Sequence, residues 1–123
     1  MKKSILIVDD EFGLADVVAD VLIDLGYEVE IAINGRLALD RLAARSTDLV
    51  LSDVMMPVMD GPELIRAMRA DPRFMRIPVV LMSALPESIP SREDVGYDAT
   101  LVKPFLLHEL LALIKNLLER DRS

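Results

Sequence analysis

The chain predicts an α/β fold, a parallel five-stranded sheet with helices covering both faces. Two observations carry this. Short apolar stretches recur five times, and the first, third and fourth are unbroken, the pattern of strands buried on both sides. Between them apolar residues fall at helical spacing, so strands and helices alternate through right-handed crossovers.

The first strand is Ile5–Val8. A helix follows, with Leu14, Val17, Val18, Val21, Leu22 and Leu25 predicted on one inward face and Asp16, Asp20 and Asp24 opposite, in solvent. Gly26 stops it. Glu28–Ala32 is a weaker strand, expected at a sheet edge, and Asn34 caps a second helix carrying Leu37, Leu39 and Leu42. Asp48–Ser52 is the third strand. Asp60-Gly61-Pro62-Glu63 spells a capping box with proline in the first turn, opening a third helix with Leu64, Ile65 and Met68 inward. Asp71-Pro72 ends that helix, and Pro78–Met82 and Ala99–Val102 are strands four and five. Leu107, Leu110, Leu111, Ile114, Leu117 and Leu118 form the stripe of the last helix, and Arg120–Ser123 reads as a frayed tail. Between strands four and five, Pro86 and Pro90 oppose a long helix, so a short helix after Pro90 is expected at best.

At 123 residues, 52% hydrophobic and 28% charged, the chain reads as one domain, 1–123, with a real core. No effector domain is expected after the last helix. Lys plus Arg number 14 against 21 Asp plus Glu, for a net charge of −7, which leaves no electrostatic footprint for DNA, RNA or an anionic membrane. The absence of cysteine excludes a disulfide framework, a thiolate metal site and a cysteine nucleophile, and fits a cytoplasmic location. Lys2-Lys3 before an apolar run resembles the start of an export signal, but the run stops at Asp9, too soon for one.

Asp9 and Asp10 follow the first strand, Asp53 the third, Ser83 the fourth and Lys103 the fifth. In a parallel sheet those ends share one rim, and ligands bind there, where the strand order reverses. Three carboxylates gathered at that rim repel one another unless a divalent cation and a lysine sit among them. The chain therefore reads as a metal-dependent site for an anionic group, most plausibly phosphoryl. Singly, each residue has a bland reading: a helix cap for Asp9-Asp10, a loop carboxylate for Asp53, an ordinary strand end for Ser83, a solvated charge for Lys103. Their joint placement favours the site. His108 falls on the polar side of the last helix, and the methionines read as core filler, except Met55, Met56 and Met59 beside the site.

The runs Ile7-Val8-Asp9-Asp10-Glu11, Asp53-Val54-Met55-Met56-Pro57-Val58-Met59-Asp60-Gly61, Ser83-Ala84 and Val102-Lys103-Pro104-Phe105 resemble the receiver domain of two-component response regulators, over essentially the whole chain. The resemblance implies a flavodoxin-like (βα)5 sandwich with strand order 2-1-3-4-5, here with a short or irregular fourth helix. It implies a phosphorylation-dependent signalling switch rather than an enzyme, assisting only its own Mg²⁺-dependent phosphorylation and slow dephosphorylation. Asp53 would be the phosphoacceptor, served by a histidine kinase or histidine phosphotransfer protein and read by a downstream protein target. Mg²⁺, for which Mn²⁺ can substitute, would be held by Asp10, Asp53 and the backbone carbonyl of Met55, with Asp9 acting directly or through water. Lys103 would pair with Asp53 and then with a phosphoryl oxygen, aimed by a cis peptide to Pro104. Ser83 would donate its hydroxyl to the phosphoryl group, and Gly61 would permit the turn after the loop.

Two departures stand out. The position three residues before the lysine, usually Tyr or Phe in that family, is Thr100, and the interval from Ser83 to Lys103 is tighter than usual. Phosphorylation is therefore expected to report by ordering Leu85–Gly96 and the loop after Asp53. The rivals fare worse. An FMN binder wants hydroxyls after strand one, where this chain has Asp9-Asp10-Glu11; an aspartyl phosphatase of the haloacid-dehalogenase type wants Asp-x-Asp and a cap domain. A degenerate receiver acting as a phosphorylation-independent binding module is the remaining alternative, and the intact set of five residues speaks against it.

Overall fold

Apolar runs without polar alternation become the middle layer of three. The computed structural model describes residues 2–120, the Phe12 side chain excepted. Its order is β1 (Ser4–Val8), α1 (Phe12–Asp24), β2 (Glu28–Ala32), α2 (Gly35–Ala44), β3 (Leu49–Asp53), α3 (Gly61–Arg69), β4 (Val79–Ser83), a 3-10 turn (Pro86–Ser88), α4 (Arg92–Val95), β5 (Ala99–Val102) and α5 (Leu107–Glu119). The sheet is parallel, in the order β2-β1-β3-β4-β5. The strands' two-residue period splits the core. Ile5, Ile7, Leu49 and Leu51 face α1 and α5 with Leu22, Leu110 and Ile114. Leu6, Val8, Val50 and Leu81 face the opposite way, against Leu64, Ile65 and Met68 of α3.

The expected punctuation is present. Asn34 Oδ1 accepts the Leu37 N–H at 2.9 Å, and Asp60 and Glu63 close the reciprocal capping box at 2.9 and 3.1 Å. Gly26 and Gly96 hold left-handed conformations beyond α1 and α4. The fourth helix is one turn, begun by Ser91 after Pro90 as expected. Arg69 holds the chain that follows it, donating to the Gly96, Met75 and Ile77 carbonyls and pairing with Asp98 at 3.0 Å.

The inward faces differ from expectation in detail. On α1, Ala15, Val18, Ala19 and Leu22 are buried, whereas Val17 and Leu25 are exposed. Small alanines let the helix approach the sheet, so the stripe is narrower and rotated by about one residue, toward side chains that count little in an apolar pattern. Leu37 and Leu107 are likewise exposed; Ala38 takes the inward position on α2, while Leu110, Ile114 and Leu117 of the expected stripe are buried on α5. Strands β3 and β4 each lie one residue later than read. Asp48 instead spends its carboxylate on the Ser4 N–H at 2.8 Å, and Pro78, lacking an N–H, contributes only its carbonyl to Val50. Of the tail expected to fray, all but Arg120 lies outside the described residues. No helix among them is long and apolar enough to cross a membrane.

Candidate functional site

Register brings the predicted residues to one level. Val8 pairs with Ser52, Asp53 with Met82 and Ser83 with Val102, so Asp9, Asp53, Ser83 and Lys103 leave four adjacent strands at the same rim. Strand order reverses between β1 and β3, and Asp9 and Asp53 flank that crevice. Carboxylate oxygens of Asp9, Asp10 and Asp53 lie within 4.8 Å of one another. Lys103 Nζ reaches 2.6 Å from Asp53 Oδ1 and 3.3 Å from Asp9 Oδ2, with Glu11 at 4.0 Å. The Lys103–Pro104 peptide is cis. Asp53, Ser83 and Lys103 share a cavity of about 130 Å³ with Met55 and Leu85. Asp10 opens, with Met55 and Met56, onto a second of about 290 Å³. His108 is exposed on α5.

The bland reading of Asp9 and the functional one coexist. Its Oδ1 accepts the Glu11 N–H at 2.8 Å, shaping the entry to α1, while its Oδ2 faces Lys103. With both oxygens engaged and its side chain buried, Asp9 steadies the lysine and leaves the outer position to exposed Asp10. Exposed Glu11 is a third carboxylate near the ammonium, after Asp53 and Asp9, that the sequence leaves without a role.

The β3–α3 loop holds two surprises. The left-handed residue is Val58, at φ 71°, not Gly61. Gly61 is needed for space: a Cβ there would run into the Asp53 carbonyl oxygen and come 2.9 Å from Leu81 Cδ1. The loop is also moored at its far side, where the Gly35 N–H donates to the Met59 carbonyl at 2.9 Å. A β-branched residue at positive φ is strained by 1–2 kcal/mol or more, and Val58 is 80% exposed, so no packing offsets the strain. Val58→Asn is expected to stabilise the protein by about 1 kcal/mol. Urea denaturation checks this, and a lower midpoint would refute it.

With all three carboxyls ionised, Asp9, Asp10 and Asp53 against one ammonium leave two negative charges in a partly enclosed site. Burial pushes the Asp53 carboxyl up to about 7; Lys103 opposes the rise and Asp9 adds to it. Burial pulls Lys103 down, but its bonds to Asp53 and Asp9 carry it above its ordinary value, so it stays charged. Asp53 Oδ1 is enclosed and takes up only the Lys103 ammonium, at 2.6 Å, with no further hydrogen-bond donor among the described residues. A buried carboxylate oxygen with one ammonium as its partner, in an all-oxygen cluster with more carboxylates than cations, fits a hard divalent cation such as Mg²⁺.

A raised carboxyl has a stability consequence whose sign is fixed. Asp53's contribution is fully present below its ordinary 3.8 and is lost as pH rises through about 7. In chelator, Asp53→Asn is therefore expected to be more stable than the unaltered chain above pH 7, by about 2 kcal/mol after allowing for solvent screening. The difference shrinks toward pH 4. Thermal melts across pH check this, and a gap that widens in acid would overturn it.

Comparison with known proteins agrees with this geometry. The response regulator receiver domain family matches residues 5–115. "Response regulator Rre1" of Synechocystis sp. is 39% identical over 98% of this chain and 53% of its own length. The chain thus spans about half the length of the curated relatives it matches. Chemotaxis response regulator CheY4 of Vibrio cholerae superposes with a TM-score of 0.87 at 34% identity, covering 95% of this chain and 99% of that one. The receiver domain of sensor histidine kinase PA1611 from Pseudomonas aeruginosa superposes at 0.88 with 27% identity, over 98% and 100%; its structure has a magnesium ion coordinated in the active site cleft.

Proposed function

Because this chain belongs to the response regulator receiver domain family, we propose that Asp53 accepts a phosphoryl group from a phosphohistidine on a partner histidine kinase or phosphotransfer protein. An Asp53 oxygen attacks phosphorus, the phosphorus–nitrogen bond breaks, and the partner's imidazole takes up a proton as it leaves. The product is an acyl phosphate. Asp10, Asp53 and the Met55 carbonyl hold Mg²⁺, or Mn²⁺ in its place, with Asp9 contributing through water. The bound cation supplies charge neutralisation for the carboxylates and the incoming phosphoryl oxygens. Lys103 transfers its charge from Asp53 to a phosphoryl oxygen, steadied by Asp9, and Ser83 donates its hydroxyl to another. The same residues carry slow dephosphorylation.

The supporting observation is the Lys103–Asp53 contact of 2.6 Å beside Asp9 and Asp10 at one rim. The net charge of −7 supports protein partners for this region, in the cytoplasm, rather than nucleic acid or membrane. Incubation with acetyl phosphate and Mg²⁺ tests the reading. One phosphoryl adduct is expected on the peptide bearing Asp53, absent with chelator and absent in Asp53→Asn. Labelling that persists in that variant, or none in the unaltered chain, would overturn it. The second outcome would favour the phosphorylation-independent binding module.

A further inference from the structure

Resting on the functional reading above, we propose that Ser88 is a positioning residue for Ser83, holding its hydroxyl away from Asp53 until a phosphoryl group is in place. Ser83 is 7% exposed and lines the cavity it shares with Asp53 and Lys103. Its hydroxyl is nonetheless committed elsewhere. The oxygen accepts the Leu85 N–H at 2.9 Å and lies 2.8 Å from Ser88 Oγ and 3.0 Å from the Leu85 carbonyl oxygen. The Ser88 hydroxyl donates to that carbonyl at 2.7 Å. Two arrangements of protons satisfy every group, and the shorter contacts, 2.8 and 2.7 Å against 3.0 Å, favour the one with Leu85 N–H to Ser83, Ser83 O–H to Ser88, and Ser88 O–H to the Leu85 carbonyl. Ser83 then has no proton left for a ligand in the cavity.

A charged phosphoryl oxygen competes for that proton. A hydrogen bond to an ionised acceptor is roughly twice as strong as one between neutral groups, so the phosphoryl group wins and Ser88 loses its donor. The loss falls on the short 3-10 turn, which keeps the Ser88 hydroxyl and N–H on the Leu85 carbonyl at 2.7 and 2.9 Å and the Ile89 N–H on the Pro86 carbonyl at 3.2 Å. On β5, Thr100 is exposed and offers no aromatic ring to follow Ser83. The signal therefore leaves the site through Leu85–Ile89.

Beryllofluoride with Mg²⁺, a mimic of a phosphoryl group on a carboxylate, is the probe. Ser88→Ala removes the nearer of two competing acceptors, leaving the Leu85 carbonyl at 3.0 Å, and is expected to bind the probe about fivefold more tightly than the unaltered chain. In a Ser83→Ala background the same change is expected to do nothing, since its effect passes through Ser83. In place of the ordering of this segment expected from the sequence, hydrogen exchange at the Ser88 and Ile89 amides is expected to speed up when the unaltered chain binds the probe, and to be fast beforehand in Ser88→Ala. Equal affinity for Ser88→Ala and the unaltered chain, or a gain that survives without Ser83, overturns the role of Ser88 alone. Failure of the unaltered chain to bind, or binding that survives Asp53→Asn, overturns the functional reading and this inference with it.

Discussion

Lys103→Met is expected to slow phosphorylation of Asp53 by about 10²–10³-fold while tightening cation binding. The two effects run in opposite directions because one ammonium serves both. It lies 2.6 Å from Asp53 and 3.3 Å from Asp9, so it neutralises carboxylates that a cation would otherwise neutralise. Its removal adds one net negative charge to the cluster, and Mg²⁺ binds roughly tenfold more tightly. Transfer nevertheless slows, because a fixed positive charge aimed at the developing phosphoryl charge is lost, an effect of about 3–4 kcal/mol where single such donors have been removed elsewhere. Methionine keeps the length and much of the apolar stem. Cation titration and acetyl-phosphate labelling rates, measured together, check both. Weaker cation binding with unaltered labelling would show that Lys103 does neither task.

The second large effect is steric. Gly61→Ala places a methyl group against the Asp53 carbonyl oxygen and 2.9 Å from Leu81 Cδ1. The Leu81 methyl can move. The carbonyl cannot, because it belongs to the backbone at the end of β3, where Ser52 Oγ donates to it at 2.9 Å. The Gly61 N–H also donates to the Val54 carbonyl at 2.9 Å, closing the loop at its base. The loop must therefore shift as a body, at a cost of about 3 kcal/mol, with loss of labelling at Asp53 even where the protein stays folded. Denaturation midpoints and labelling of the folded fraction check this. A variant of ordinary stability with ordinary labelling would show that the close approach does not matter.

What sequence conveyed and what it did not follow from the range of each interaction. Asp9, Asp10, Asp53, Ser83 and Lys103 were legible because each sits at the end of an apolar run, and parallel register converts that position into a shared rim. The caps at Asn34 and Asp60 were legible because their partners lie three residues away. The inward face of α1 was not, because Ala15 and Ala19 are chosen by closeness to the sheet rather than by hydrophobicity. Gly61 was assigned to a turn, while its true constraint is an atom of another element, at a distance no spacing encodes. Ser88 gave no signal: a serine in a proline-flanked turn is commonplace until Ser83 is found 2.8 Å away. Val58 carries no mark of positive φ, since valine is among the residues least suited to it.

The mooring at Gly35 has a last consequence. A Cβ at that position would lie 2.7 Å from Met59 Cγ and 3.0 Å from the Met59 carbonyl oxygen. The flexible thioether could swing aside, but the carbonyl is held by the Gly35 amide itself. Position 35 is therefore confined to glycine by the backbone of residue 59, which no slimmer side chain there relieves. A larger residue at 35 would push the β3–α3 loop, so the change would be felt at the acidic cluster rather than where it was made.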